Sequence, residues 1–311
     1  MKKVYILAIA ALLAAMPAAA QQKGQNLALK VLVEDMTEPF PTTAKAHMEN
    51  KLNMLLTQNG IASSDILSQF FITAKATPLT KDILPGAPTR IAESMEISFY
   101  IADYYSQIIY ATTSVTAKGI GNTDAKAYME AIRHINLNSP ELKEFVATGK
   151  AKVIDYYNTQ APKMLAKANS LANQKKYEEA LWLCACIPSE CDHYQSALDA
   201  GDKISQQYVD YLCQVNLAAA KMAWASGQNA MVATEAGEYL AQISPDAKCY
   251  GEAEALYKEI KAKVLDDWKF EMKKYQDGVD LEMQRINSWR DVGVAYGEGQ
   301  QPTSTNIGFI R

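Results

Sequence analysis

The apolar residues of this chain change period part-way along it. In LALKVLV, residues 27–33, Leu27, Leu29, Val31 and Val33 fall on one side of an alternating pattern, which predicts a strand with one buried face. QFFITAKA, residues 69–76, predicts another strand, followed by a loop over 77–90 that holds three prolines and a glycine. Met95, Ile97, Phe99 and Ile101 then alternate with polar neighbours, and Ile109, Ala111, Thr113, Val115 and Ala117 alternate again. Those two runs predict a hairpin of long strands turning near Asp103 to Ser106. After Gly149 only helical periods remain, in a stretch dominated by Ala and Leu. The two patterns bury different kinds of face, so the chain reads as α+β: a small sheet-plus-helices domain over 22–148, an all-α domain over 150–290 and a flexible tail over 291–311.

Two helices belong to the first part. Ala44, Met48, Leu52, Leu55 and Leu56 form a stripe at helical spacing, with Thr42 or Thr43 as its cap and Asn59-Gly60 as its end. Thr123 is placed to cap a second helix whose Ala127, Ala131, Ile132 and Ile135 face inward. The order strand, helix, strand, strand, strand, helix predicts a sheet covered on one face. Gly119-x-Gly121 precedes the second helix, but neither the third glycine of a dinucleotide fingerprint nor the Gly-Lys-Ser/Thr of a P-loop follows. A plain strand-to-helix turn is the better reading.

The first twenty residues predict export. Lys2 and Lys3 give a positive start, Val4 to Met16 a short apolar run, and Ala18 and Ala20 the small residues of a cleavage site before Gln21. That tripartite pattern is a secretory signal peptide, 1–20, and its apolar run is too short to span a bilayer. No later segment reads as transmembrane. Removal of 20 residues leaves 311 − 20 = 291, with 29 basic and 35 acidic side chains, a net charge of −6. A mildly acidic chain without a basic run is a poor partner for nucleic acid. Export also permits disulfides among Cys184, Cys186, Cys191, Cys213 and Cys249, at least one of which an odd count leaves over. Cys184-x-Cys186-x4-Cys191 lacks the usual zinc spacing, so no metal and no cofactor is expected.

Two resemblances extend this reading. YIADYYSQIIYATTSVTAKGIGNTDAKAYMEAIRHI, with Gly119, Gly121, Thr123, Ala127 and Ala131 at the matching places, resembles the compact α/β domain of bacterial envelope proteins. That group includes the curli secretion channel lipoprotein, the outer-membrane activators of penicillin-binding proteins and the N-terminal domain of flagellar assembly protein T. LALKVLVEDMTEPF through LLTQNG also fits. The resemblance implies contact with other envelope proteins in the periplasm or at the outer-membrane periphery, and no catalytic residues. Further on, Ala168, Ala172, Tyr177-x-x-Ala180-Leu181 and Pro188 resemble a tetratricopeptide helix pair. A second copy is offset by 56: Ala180, Ile187, Tyr194 and Ala197 against Ala236, Ile243, Tyr250 and Ala253. Chance similarity among alanines is the competing explanation. Within this part, Asp155, Tyr156 and Tyr157 are expected to end one helix and Pro162 to open the next. Residues 251–290 read as one or two long helices with a stripe from Leu256 through Ile260, Val264, Trp268 and Met272.

The chemistry-bearing residues are sparse. The best carboxylate cluster is Glu34, Asp35 and Glu38 beyond the first strand, where paired acids could serve glycoside hydrolysis. Two function classes follow. One is a non-catalytic exported scaffold or adaptor of the cell envelope, with Tyr194, Trp224 and Tyr250 as candidate contact residues. The other is an exported hydrolase built on the three carboxylates.

Overall fold

The computed structural model describes residues 27–34, 41–63, 68–264, 268–272 and 281–300. The expected signal peptide therefore lies outside the described residues, as do Asp35 and Glu38. The described residues divide into two compact units, 27–155 with 188–191, and 156–187 with 192–300.

The first unit carries a five-stranded sheet in the order β2-β1-β3-β4-β5. Its strands are β1 (Ala28–Val31), β2 (Ala62–Ser63), β3 (Phe70–Leu84), β4 (Arg90–Asp103) and β5 (Ile109–Gly121). β1 pairs in parallel with β2 and β3, whereas β3, β4 and β5 form an antiparallel meander. The parallel β1–β2 pair requires a crossover, which α1 (Ala44–Gln58) supplies. All five residues of its apolar stripe are fully buried. On the same side, Met95, Ile97, Phe99 and Ile101 of β4 are fully buried, as strict alternation demands when one sheet face is covered. The other face shows Thr112, Ser114, Thr116 and Lys118 to solvent.

The helix α2 (Asp124–Arg133) lies directly on β5. A side-chain carbon added at Gly119 would collide with the backbone of Ala127 and Ala131, so the small residues of strand and helix together set this close approach. Thr123 caps α2 by accepting a hydrogen bond from Lys126 N at 3.3 Å. Thr43 does not cap α1; its hydroxyl donates instead to Met129 Sδ at 3.7 Å.

The strand β3 corrects the sequence reading. Instead of ending near Ala76, it runs on to Leu84, leaving only residues 85–89 as the turn to β4. Pro78 is accommodated at a register shift between Pro78 and Thr80. Pairing with β1 extends only to Ile72, so Pro78 sits on an edge, where its missing N–H costs no ladder bond to a neighbour.

Helices α3 (Pro140–Asn173), α4 (Tyr177–Ala185), α5 (Tyr194–Ala225), α6 (Ala230–Leu240), α7 (Tyr250–Val264) and α8 (Leu281–Gly299) follow. The unit boundary falls inside α3, at Asp155. Pro162 does not open a helix but stands within α3. It removes one backbone hydrogen bond, offset by the packing of Tyr157, Ala161 and Ala168, all buried. In the second unit, Leu217, Trp224, Leu240, Ile260, Trp268 and Met272 share one core. The expected helical stripe holds on α7 through Val264, but Trp268 and Met272 join that core from outside any helix. Residues 301–311 of the expected tail lie outside the described residues, and α8 continues to Gly299. Trp289 anchors it, 1% exposed, donating from Nε1 to Asp202 Oδ1 at 3.1 Å.

Candidate functional site

Four residues from distant parts of the chain meet in the first unit. Lys81 of β3 and Glu93 of β4 are cross-strand partners, and Asp124 and Tyr128 come from the first turns of α2. Lys81 Nζ donates to Asp124 Oδ2 at 2.6 Å, which holds the lysine above its ordinary range, chiefly through that bond. Glu93 is 2% exposed, and neither of its carboxyl oxygens has a partner in full hydrogen-bond geometry. Burial pushes this carboxyl up most; the Tyr128 hydroxyl, which faces it without full alignment, pulls it down. Tyr128 is itself pushed up to about 12, by burial first and by Glu93 second. An acid held this way favours its neutral form. Sequence reasoning missed the cluster. The one signal was Glu93 itself, which continues the buried alternation of Met95, Ile97 and Phe99 as a charged residue.

Two open cavities flank this sheet. One, of about 640 Å³, lies between α1 and α2 and is lined by Thr43, His47, Asn122, Lys126, Met129 and Arg133, among others. Arg133 reaches Glu130 at 3.4 Å, leaving Lys126 to favour anionic groups. The other, of about 500 Å³, lies between β5 and the start of α3, where Glu141, Glu144 and Lys152 face Ile109 to Thr113. Lys152 Nζ donates to the Tyr110 carbonyl at 2.8 Å.

The residues expected to carry function are scattered. Glu34 is exposed just past β1, and its two expected partners lie outside the described residues. Trp224 corrects the expectation of an exposed contact residue: it is 3% exposed and donates from Nε1 to Glu259 Oε1 at 3.0 Å. Tyr194 and Tyr250 are half-buried at the starts of α5 and α7, and the Tyr194 hydroxyl accepts from Arg290 Nη2.

Cys213 and Cys249 form a disulfide between α5 and the turn before α7, with Cα atoms 6.1 Å apart. Cys184, Cys186 and Cys191 take no part in that disulfide. Burial pushes Cys184 up to about 12, and Cys186 rises by burial first and by the nearby Cys184 second, which makes both poor nucleophiles. Beside the disulfide, Asp210 is pushed up by burial but held lower overall by Lys248 and Gln206. Its carboxylate accepts from Lys248 N at 2.9 Å and from Lys248 Nζ at 2.7 Å. Among the described residues no three His, Cys, Asp or Glu side chains group as a metal site, and no helix is long and apolar enough to cross a membrane.

Among solved structures, the chain is similar to the minor lipoprotein of Acinetobacter baumannii, known from a 2.35 Å crystal structure. The two share 16% identity with a TM-score of 0.27, over 40% of this chain and 93% of that one. No protein-family model matches the sequence, and no curated protein is similar to it in sequence.

Proposed function

We propose that this chain is an exported, non-catalytic scaffold or adaptor of the bacterial cell envelope that binds other envelope proteins. The observation that carries the reading is the local likeness of residues 56 apart in the helical unit. Ala180, Ile187 and Ala197 are buried to within 1%, and so are Ala236, Ile243 and Ala253. The turns between them match in detail. Ile187 N donates to Cys184 O at 3.3 Å and Ile243 N to Leu240 O at 3.2 Å, while Ala197 N and Ala253 N each donate four residues back at 3.0 Å. Helix pairs built on one template stack into extended surfaces suited to holding partners. The tripartite signal of residues 1–20 supports export.

The test is reciprocal capture from envelope extract with the exported protein and with its Glu34→Ala, Asp35→Ala, Glu38→Ala triple variant. The same envelope proteins should co-purify with both. If the triple variant keeps its fold but loses a measurable hydrolytic activity, the hydrolase reading takes its place.

A further inference from the structure

Among the described residues, no strand lies beyond β5, which closes the order β2-β1-β3-β4-β5 and is 13 residues long. Every second residue of such an edge strand turns its N–H and C=O away from the sheet. Proteins commonly protect an edge with a proline, a charge or a short strand. From Ala111 to Ala117, β5 pairs regularly with β4 and holds no Pro, Asp, Glu, Lys or Arg. Lys152 Nζ reaches the strand from outside the sheet at Tyr110 O, 2.8 Å away. No hydrogen bond from a described residue outside the sheet reaches the backbone of 111–117.

The space beside this edge selects what can pair with it. Gly149 of α3 lies against Ile101 of β4, so α3 runs beneath β4 and β5 overhangs it. The gap is the cavity of about 500 Å³. Ala111 and Thr113 line it from β5, and Glu141, Glu144, Thr148 and Lys152 from α3. At about 100° per residue those four positions of α3 share an arc of roughly 80°. Lys143 and Lys150 fall on the other side, where Lys150 meets Glu190 at 3.4 Å. Among the described residues neither Glu141 nor Glu144 has an ion-pair partner. Two carboxylates against the one ammonium of Lys152 leave the cavity negative.

A strand added to β5 places every second side chain on the α3 side, beside Ala111 and Thr113. A Lys or Arg there meets Glu141 and Glu144 in a charge-assisted contact. A second copy of β5 does not supply one, because its Lys118 belongs to the opposite face, exposed with Thr112, Ser114 and Thr116.

We infer that β5 and α3 form a groove that takes an extended basic segment of another protein as an added strand, with Lys or Arg at alternate positions over Glu141 and Glu144. Main-chain pairing supplies the affinity and the acidic wall the selection. The inference rests on the scaffold reading only in placing that other protein in the envelope.

The probe is a labelled synthetic peptide, Lys-Thr-Lys-Val-Lys-Thr-Lys-Val-Lys, blocked at both ends. It is titrated with the purified full-length exported protein and followed by fluorescence anisotropy. The wild type should bind it. The Glu141→Gln, Glu144→Gln variant should bind it about tenfold or more weakly with an unchanged circular dichroism spectrum. Glu235→Gln, Glu238→Gln removes the same charge from exposed positions of α6 and should bind as the wild type does. The same peptide N-methylated throughout keeps its charge but loses its backbone donors, and should also bind about tenfold or more weakly. Absence of wild-type binding overturns the inference, while capture of envelope proteins would still support the scaffold. Equal binding by the Glu141→Gln, Glu144→Gln variant, or of the N-methylated peptide, overturns it as well. So does a peptide of residues 111–117 that binds as tightly as the lysine peptide, which would assign the edge to a second copy of this chain.

Discussion

The two units solve the same packing problem, but only one of them adds a cross-link among its described residues. In the sheet unit, the decisive contacts join residues far apart in sequence: Lys81 to Asp124, Glu93 beside Tyr128, Gly119 beneath Ala127 and Ala131. In the helical unit the last helix returns to earlier ones, Gly293 against Leu181 and Trp182 of α4 and Trp289 donating to Asp202 of α5, and Cys213 to Cys249 adds a covalent tie. Both units hold a glycine against backbone, Gly119 on α2 in the first and Gly293 on Leu181 and Trp182 of α4 in the second, but among the described residues only the helical unit is also cross-linked. A fault in the first should therefore be all-or-none, whereas the cross-link should keep a fault in the second graded.

The sharpest way to break that contrast is at Gly119. In Gly119→Val the new side chain would meet the backbone of α2 rather than a flexible side chain, and a backbone clash cannot relax cheaply. We expect a loss of about 4 kcal/mol or more, enough to abolish the unfolding transition of the sheet unit while helical circular dichroism persists. Gly251→Ala in α7, where a new carbon meets nothing within 4 Å, should leave melting unchanged or slightly raised. Loss of both transitions in Gly119→Val would show that the units do not fold apart.

Next in size is the cross-link. It closes a loop of 36 residues, worth about 3–4 kcal/mol by chain entropy. The Cys213→Ala, Cys249→Ala double variant should lower only the helical transition, in step with the effect of reductant on the wild type. A double variant that melts as the wild type does, with or without reductant, would remove the disulfide from the account.

How much of this was legible in the sequence follows from the same contrast. Stripes such as Ala44 to Leu56, Ala127 to Ile135 and Leu256 to Val264 are local, and periodicity finds them. Pro162 was misread because a rule about isolated helices gave way to the burial of Tyr157 and Ala161. β3 was cut short because Pro78 signals a loop unless it lies on an edge, and strand order is not written in any one segment. The cluster of Lys81, Glu93, Asp124 and Tyr128 was invisible for the same reason. It exists only once β3, β4 and α2 are assembled, and the carboxylates that did stand together in sequence, Glu34 with Asp35 and Glu38, made the more obvious candidate.

Glu93 gives the third prediction, with a pH dependence. Burial raises its folded value above the ordinary 4.5. The neutral carboxyl is thus the form the fold accommodates, and its contribution is complete below about pH 4.5. That contribution is lost as pH rises through the raised value. Glu93→Gln keeps the shape without the charge, so at pH 7 it should stabilise the sheet unit by about 1 kcal/mol, the gain vanishing toward pH 4. Thermal melts at the two pH values decide this; equal effects at both would mean the carboxylate is not strained by burial.

The smallest effect compares the units at equivalent points, the first turns of α2 and α6. Both caps have extended backbone, Thr123 at φ −141° and ψ 158°, Asn229 at φ −128° and ψ 174°. Thr123 accepts one backbone N–H, from Lys126 at 3.3 Å. Asn229 Oδ1 accepts two, from Met231 at 3.0 Å and Val232 at 3.3 Å. Each orphan donor at a helix start is otherwise left to water, and replacement of a cap by Ala costs about 1 kcal/mol. Asn229→Ala should therefore exceed Thr123→Ala, because it releases two donors rather than one. The two effects should appear in different transitions, α6 being part of the helical core and α2 of the sheet. The double variant should shift each transition by its own single-variant amount, since separated sites add. A Thr123→Ala shift equal in both transitions would mean that the sheet unit and the helical unit melt as one body, and the contrast between them would then describe composition rather than folding.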